Sequence, residues 1–302
     1  MSVLKAALLG KELSHSLSPV LHLGMYKFLE RKFESQFKEC VYDLVECAEE
    51  CDLALWIKTA PTNGYIGANV TSPYKANAYI LSDRHIGVSS SIDSANCLRF
   101  VNNEVQCIST DGAGLLNSIL REYPTFDLNR YHLVLIGAGD AARAVVYTLC
   151  TRWMPKSLTI LNRSLAKAEE LAEFCIAQSP GPTVRFMSID DFLYSPYYEQ
   201  HYRLIIQCTP IGQLNHPGNL IPGFEWHETD FAIDLIYNPV RAEFLRHASH
   251  AGAKTMNGLG MLIEQAALSQ VFWLTGLLPD ASPLSETEYQ TLKDDLTNSL
   301  SA

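Results

Sequence analysis

Residues 131–143, Tyr131-His132-Leu133-Val134-Leu135-Ile136-Gly137-Ala138-Gly139-Asp140-Ala141-Ala142-Arg143, decide how the chain is read. Residues 131–136 form a run of buried-strand character and residues 141–150 an apolar helix, with a glycine-rich turn between them. The turn fits Gly-x-Gly-x-x-Gly/Ala. Gly137 allows the tight bend, Gly139 lets backbone amides approach a pyrophosphate, and the small Ala142 permits close helix–strand packing. Ala138 and Ala141 complete the loop, and the helix N-terminus adds partial positive charge. A glycine-rich turn alone is only a tight turn. Between a strand and a helix it reads as the opening of a dinucleotide-binding βαβ unit.

The next strand covers residues 158–161 and ends in Asn162-Arg163-Ser164, with Lys167 one turn into a helix over 166–177. Folds that take NAD place Asp or Glu at this point to hold the ribose hydroxyls. Here two cations and two neutral donors stand there instead. Arg163 and Lys167 suit a 2′-phosphate, and Ser164 either donates to it or caps the helix, which favours NADP. The plainer alternative is that both cations are solvated surface charges. Residues 204–206 and 231–235 supply further strands.

Ahead of this stretch the alternation starts independently. A strand over 3–9 ends at Gly10, Ser18-Pro19 opens a helix, and strands cover 39–44 and 64–70. Ser72-Pro73 begins another helix. The tail from Leu277 carries Pro279 and Pro283 and then a short polar helix. The fold class is α/β, with a different α/β domain in front of a Rossmann-like one.

Composition narrows the function classes. Of 302 residues 47% are hydrophobic and 19% charged, a balance too apolar for disorder. A net charge of -10 argues against a nucleic-acid partner, which needs clustered cations for its phosphates. No apolar segment approaches the roughly 20 residues that cross a bilayer, and residues 1–5 lack signal-peptide architecture. The 8 cysteines include no Cys-x-x-Cys pair and read as reduced thiols of a cytoplasmic protein. The 9 histidines show no metal-binding spacing, so no metal is expected.

Two motifs in the first half carry chemistry. Asn69-Val70-Thr71-Ser72-Pro73-Tyr74-Lys75 follows a strand, and Thr110-Asp111-Gly112-Ala113-Gly114 places a carboxylate at a strand-to-helix junction. Lysine and aspartate in one site suit alcohol oxidation: the carboxylate orients the ammonium, and one of them handles the hydroxyl proton as hydride leaves. From spacing alone a structural ion pair is an equally good reading.

His15-Ser16-Leu17-Ser18-Pro19, Asn69-Val70-Thr71-x-Pro73-x-Lys75, Ala95-Asn96 and Thr110-Asp111-Gly112 occur in the order of the substrate motifs of the shikimate dehydrogenase family, which the chain resembles. The cofactor turn, Cys208-Thr209-Pro210-Ile211-Gly212, residues 234–239 and residues 258–266 continue the resemblance. It implies a substrate-binding domain over 1–110 completed by 258–302, an NADP-binding Rossmann-like domain over 111–257, and a cleft between them. It implies Lys75 and Asp111 as the catalytic dyad, Ser16, Ser18 and Tyr237 at the substrate carboxylate, and Asn69, Thr71, Asn96 and Gln265 at the ring hydroxyls. Thr209, Gly258 and Met261 join the turn residues at the cofactor. The implied reaction is reversible reduction of 3-dehydroshikimate to shikimate with NADPH by a monomer or homodimer. The alternatives are a paralogue acting on quinate or an aminoshikimate, and a non-catalytic binding homologue.

The chain departs from the family pattern at four places. Asp140 replaces a glycine of the phosphate turn, Ser109 an asparagine before Thr110, Cys97 a threonine after Asn96, and Gln207 an asparagine before Cys208. The shorter reach of Ser109 implies that Asp111 is buttressed differently. Asp140 either caps the following helix or sits near the pyrophosphate.

Overall fold

Two six-stranded sheets organise the chain, each inside its own α/β unit: Met1–Asn117 with Leu262–Ala302, and Ser118–Met261. The structure, a computed structural model, describes residues 3–14, 16–32, 39–178, 181–195 and 201–301. His15 of the first substrate motif lies outside them.

The first unit runs β1 (Val3–Gly10), α1 (Ser18–Lys32), β2 (Glu39–Glu46), α2 (Glu50–Thr59), β3 (Gly67–Val70), α3 (Lys75–Ile80), β4 (Arg84–His85), α4 (Ser89–Ile92), β5 (Cys97–Val101), β6 (Glu104–Ile108) and the start of α5 (Asp111–Glu122). Its sheet order is β2-β1-β3-β5-β6-β4. β1 pairs parallel with β2 and β3, while β3, β5 and β6 pair antiparallel. Side chains of β1 alternate between two cores: Leu4, Ala6 and Leu8 pack with Tyr42, Phe272 and Trp273, whereas Ala7 and Leu9 pack with Leu53, Ile57 and Val70. β5 and β6 form a hairpin closed by Asn102 and Asn103, both left-handed (φ 50° and 62°), as a two-residue primed turn requires.

The second unit contains β7 (His132–Ile136), α6 (Asp140–Arg152), β8 (Ser157–Leu161), α7 (Leu165–Ala177), β9 (Thr183–Met187), α8 (Ile189–Leu193), β10 (Arg203–Gln207), β11 (Phe231–Asp234), α9 (Glu243–His250) and β12 (Lys254–Met256). All its strands are parallel, in the order β12-β11-β10-β7-β8-β9. This is the doubly wound dinucleotide order, which reverses direction between β7 and β10. Every residue of β8 and β10 is buried, as expected of a parallel sheet covered on both faces. α10 (Leu259–Thr275) and α11 (Glu286–Ser301) return the chain to the first unit. Trp273 of α10 donates from Nε1 to the Leu98 carbonyl (2.9 Å), and a Cβ at Gly67 would lie 2.3 Å from that nitrogen, so β3 needs glycine there.

Several elements differ from the sequence reading. β3 begins at Gly67 rather than at 64, because Gly64 is left-handed (φ 80°) and closes a short turn. The helix after Ser72-Pro73 begins only at Lys75. The tail helix is 16 residues long and amphipathic, burying Tyr289, Leu292 and Leu296. β9 and β12 have no long apolar run to announce them: β9 is a half-exposed edge and β12 has 3 residues. The units part at 117/118 and 261/262, inside α5 and α10, rather than at 110/111 and 257/258. Among the described residues no helix is long and apolar enough to cross a membrane.

β10 and the segment leading into β11 are tied by one buried ion pair. The fully buried Arg203 donates from Nη2 to Asp230 Oδ2 (2.6 Å) and from Nε to Oδ1 (3.1 Å), and from Nη2 to the Glu225 carbonyl (2.8 Å). Asp230→Ala leaves a buried guanidinium without its counter-charge and is expected to lower unfolding free energy by about 3–5 kcal/mol in denaturant titrations.

Candidate active site

The polar residues of the first unit converge because three strand ends place them together. After β3, Thr71 N donates to the Leu9 carbonyl and Tyr74 Oη to the Cys47 carbonyl (2.8 Å), which holds the turn and delivers Lys75 to the first position of α3. Asp111 is the first residue of α5, where the helix dipole favours a carboxylate. Lys75 Nζ donates to Asp111 Oδ2 at 2.6 Å, and both side chains are about nine-tenths buried (11% and 9% exposed). The other carboxylate oxygen accepts from Asn96 Nδ2 (2.9 Å). The Asn96 amide reaches Thr110 Oγ1 (2.9 Å) and Gln265 Oε1 (3.3 Å), while its Oδ1 accepts from Thr110 N (2.7 Å) and Oγ1 (3.2 Å). Asn96 is therefore the buttress of Asp111.

A second layer orients Asn69. Its Nδ2 donates to Ser269 Oγ (2.9 Å) and to the Asn96 carbonyl (3.2 Å), and its Oδ1 accepts from Tyr42 Oη (2.9 Å). Gln265, at the same level of α10, packs so closely on α5 that a Cβ at Gly114 would lie 2.8 Å from its Cβ. Ser16 Oγ accepts from the Ser18 amide (3.2 Å) at the entry to α1, and the Ser18 hydroxyl lies beside the Tyr42 phenol. The structure thus brings Lys75, Asp111, Asn69, Asn96 and Gln265 into one hydrogen-bonded cluster in the first unit, with Thr71 on the turn that delivers Lys75. Tyr237 belongs to the second unit.

In the second unit the reversal point of the sheet carries the glycine turn. Gly137 has φ 110°, and a Cβ there would lie 3.0 Å from Thr209 Cγ2, so the turns after β7 and β10 meet at the glycine. Gly139 is the N-cap of α6, and nothing lies within 4 Å of where its Cβ would be. Asp140 occupies the first turn and is not the cap. Ser164, the N-cap of α7, makes no side-chain capping bond, and Asn162 Nδ2 bonds its carbonyl (3.0 Å). Arg163, Ser164 and Lys167 are exposed, and among the described residues no ion pair engages either cation. An open glycine cradle and two unengaged cations fit a dinucleotide bearing a 2′-phosphate. At Gly258 a Cβ would lie 2.0 Å from the Leu235 carbonyl oxygen, so the backbone approach there excludes any side chain. Met261 is buried.

Sequence reasoning missed the groups that hold these turns. Gln207 Nε2 donates to the carbonyls of Thr209 (3.1 Å) and Ile211 (2.9 Å) and to Asp234 Oδ1 (3.3 Å), and Asp234 Oδ1 accepts from Ile236 N (3.0 Å). Gln207 was visible only as a departure from the family pattern. Asp234 lay in an apolar strand and gave no sign of its bonds. Its Oδ2 is buried without a hydrogen-bond partner, and burial pushes the carboxyl from 3.8 up to about 7 against the bonds from Ile236 and Gln207. An acid whose pKa is raised by folding binds more protons folded than unfolded between these two values. Its contribution to stability therefore falls as pH rises through that window. The neutral amide of Asp234→Asn keeps the Oδ1 acceptor, and its stability relative to the parent is expected to improve steadily from about pH 4 to about pH 7. A pH-independent difference in denaturant titrations would overturn the assignment.

A family model described as the shikimate dehydrogenase substrate binding domain matches residues 8–98, and one described as shikimate / quinate 5-dehydrogenase matches residues 120–193. The shikimate dehydrogenase (NADP(+)) of Methanopyrus kandleri is 32% identical over 271 residues, 88% of each chain. That of Bacillus subtilis is 31% identical over 278 residues, 90% of this chain and 91% of the relative. A crystal structure of a shikimate dehydrogenase in complex with NADP+ superposes with a TM-score of 0.81 at 28% identity, covering 99% of this chain and 96% of the other. With its doubly wound second unit and its ordered first-unit motifs, the chain belongs to the shikimate dehydrogenase family.

Proposed function

We propose that the protein is an NADP-dependent shikimate dehydrogenase, catalysing the reversible reduction of 3-dehydroshikimate to shikimate. The observation that carries the reading is the buried Lys75–Asp111 pair at 2.6 Å, braced by Asn96. Both oxygens of the carboxylate are fixed, one by Lys75 and one by Asn96, so the ammonium is held in one place beside the polar side chains of the cluster. Asp111 holds the ammonium in place and leaves the remaining N–H bonds of Lys75 for the oxygen of the reacting carbon. In the reducing direction Lys75 gives a proton to that oxygen, and in the oxidising direction the neutral amine takes it back. The Gly137–Ala142 turn, Thr209, Gly258, Met261 and the Asn162-Arg163-Ser164/Lys167 cluster would hold the cofactor, which would supply the hydride as NADPH in reduction and accept it as NADP in oxidation.

Ser16, Ser18 and Tyr237 bind the ring carboxylate, and Asn69, Thr71 and Gln265 receive the ring hydroxyls, with Asn96 acting through Asp111. Such a site discriminates because a ring lacking a hydroxyl leaves buried polar groups unpaired. All 8 cysteines are free thiols, in keeping with a reducing, cytoplasmic location.

Two measurements test the reading. Lys75→Ala is expected to lower shikimate turnover by roughly 10²–10⁴-fold while NADP binding, measured by calorimetry, stays near the parent value. Quinate in place of shikimate as the preferred substrate would transfer the assignment to the neighbouring ring acid. For the cofactor, the parent is expected to favour NADP over NAD in turnover efficiency. Arg163→Ala is expected to reduce that ratio by roughly tenfold or more, the order of one charge-assisted bond. A parent that prefers NAD, or a ratio unchanged in the variant, rejects the 2′-phosphate assignment.

A further inference from the structure

The buried layer beneath the first-unit cluster has a direction. Ser269 Oγ donates its proton to the Gln265 carbonyl (2.9 Å), so toward Asn69 Nδ2 (2.9 Å) it can only accept. The second Asn69 bond, to the Asn96 carbonyl (3.2 Å), likewise needs a donor at Nδ2. Asn69 Oδ1 therefore turns toward Tyr42, whose Oη donates to it at 2.9 Å. The Tyr42 ring has no freedom to withdraw: His22 stacks on it with centroids 4.2 Å apart and planes 8° from parallel, and Trp273 lies 6.3 Å away. His22 is itself pinned by Gln270 Nε2, which donates to the His22 carbonyl (2.7 Å) and to Nδ1 (3.1 Å). The Ser18 hydroxyl borders the same phenol from α1.

We propose that Tyr42 is a positioning residue for substrate: its buried hydroxyl fixes the side-chain amide of Asn69. The inference rests on the functional reading above, in which Ser18 takes the ring carboxylate and Asn69 a ring hydroxyl. Both amide hydrogens of Asn69 are engaged within the protein, so Asn69 offers the ring an acceptor, and Tyr42 keeps that acceptor edge in register. The hydrogen bond of Tyr42 goes to Asn69 and not to the Lys75–Asp111 pair. Its effect is confined to ring binding.

Tyr42→Phe removes the hydroxyl and keeps the stacked ring. The expected result is a KM for shikimate raised by about three- to tenfold, the order of one neutral hydrogen bond, with kcat within about twofold of the parent and calorimetric NADP affinity unchanged. In an Asn69→Ala background the same substitution should raise KM much less, because the amide it orients is gone. An unchanged KM in Tyr42→Phe overturns the inference, as does a parallel fall in kcat and NADP affinity, which marks general loosening. A parent that does not turn over shikimate instead rejects the functional reading, so the two failures are told apart by the parent assay.

Discussion

A buried charge pair survives only if its partners are fixed, and in the first unit Asn96 does the fixing. Taking an ammonium and a carboxylate out of water costs several kcal/mol for each ion, recovered only with close geometry and satisfied hydrogen bonds. Asn96 meets that requirement with one side chain. Its Nδ2 reaches Asp111 and Thr110, its Oδ1 accepts twice from Thr110, and its carbonyl takes the Val70 amide and Asn69 Nδ2. The ends of β3 and β6 and the start of α5 are thereby locked at a single residue just ahead of β5. The short Lys75–Asp111 contact follows from that lock. So does the placing of Gln265, whose Oε1 meets the same amide.

The second unit uses an amide and a buried acid in a comparable way. Gln207 and Asp234 stand at the ends of the neighbouring parallel strands β10 and β11, and their side chains bond the backbone of the turns that follow: Thr209 and Ile211 after one strand, Ile236 after the other. Parallel strands end together, so turns at a sheet's carboxyl edge have no ladder partner and need side chains to hold them. Replacement of the family's asparagine by glutamine is intelligible here, because one amide reaches two carbonyls and a carboxylate oxygen.

Legibility in the sequence followed the physics of each element. The strand–turn–helix around Gly137 was readable because a pyrophosphate turn needs specific small residues in order, and the doubly wound sheet followed from the apolar runs beside it. β9 and β12 were not, since a half-exposed edge and a 3-residue strand leave no periodicity. The hairpin turn Asn102-Asn103 carried a local signal that the reading passed over. At the site, Lys75 and Asp111 stand out as single charges in short polar motifs at strand ends, although spacing alone left a structural ion pair equally open. Tyr42, Ser269 and Asp234 do not, because an inward-facing tyrosine, serine or aspartate looks like any other strand or helix residue until its partners, 27, 200 and 27 positions away, are known. Orientation is a property of tertiary contacts.

Electrostatics separates the two halves of cofactor recognition. A net charge of -10 and a carboxylate in the first turn of α6 oppose any dinucleotide, and the net charge opposes NADP, with its extra phosphate, more than NAD. In the proposed reading Arg163 and Lys167 act on the 2′-phosphate, which one cofactor has and the other lacks. Local cations at the 2′-phosphate must therefore outweigh the opposing field for NADP to be preferred. Both cations are exposed and without ion pairs among the described residues, so neither must break a contact to meet the phosphate. Exposure also screens them, so their effect declines with ionic strength, whereas the backbone cradle at Gly137 and Gly139, made of fixed amides, is far less affected. In the proposed reading the turn sets affinity and the strand end beside it sets selectivity.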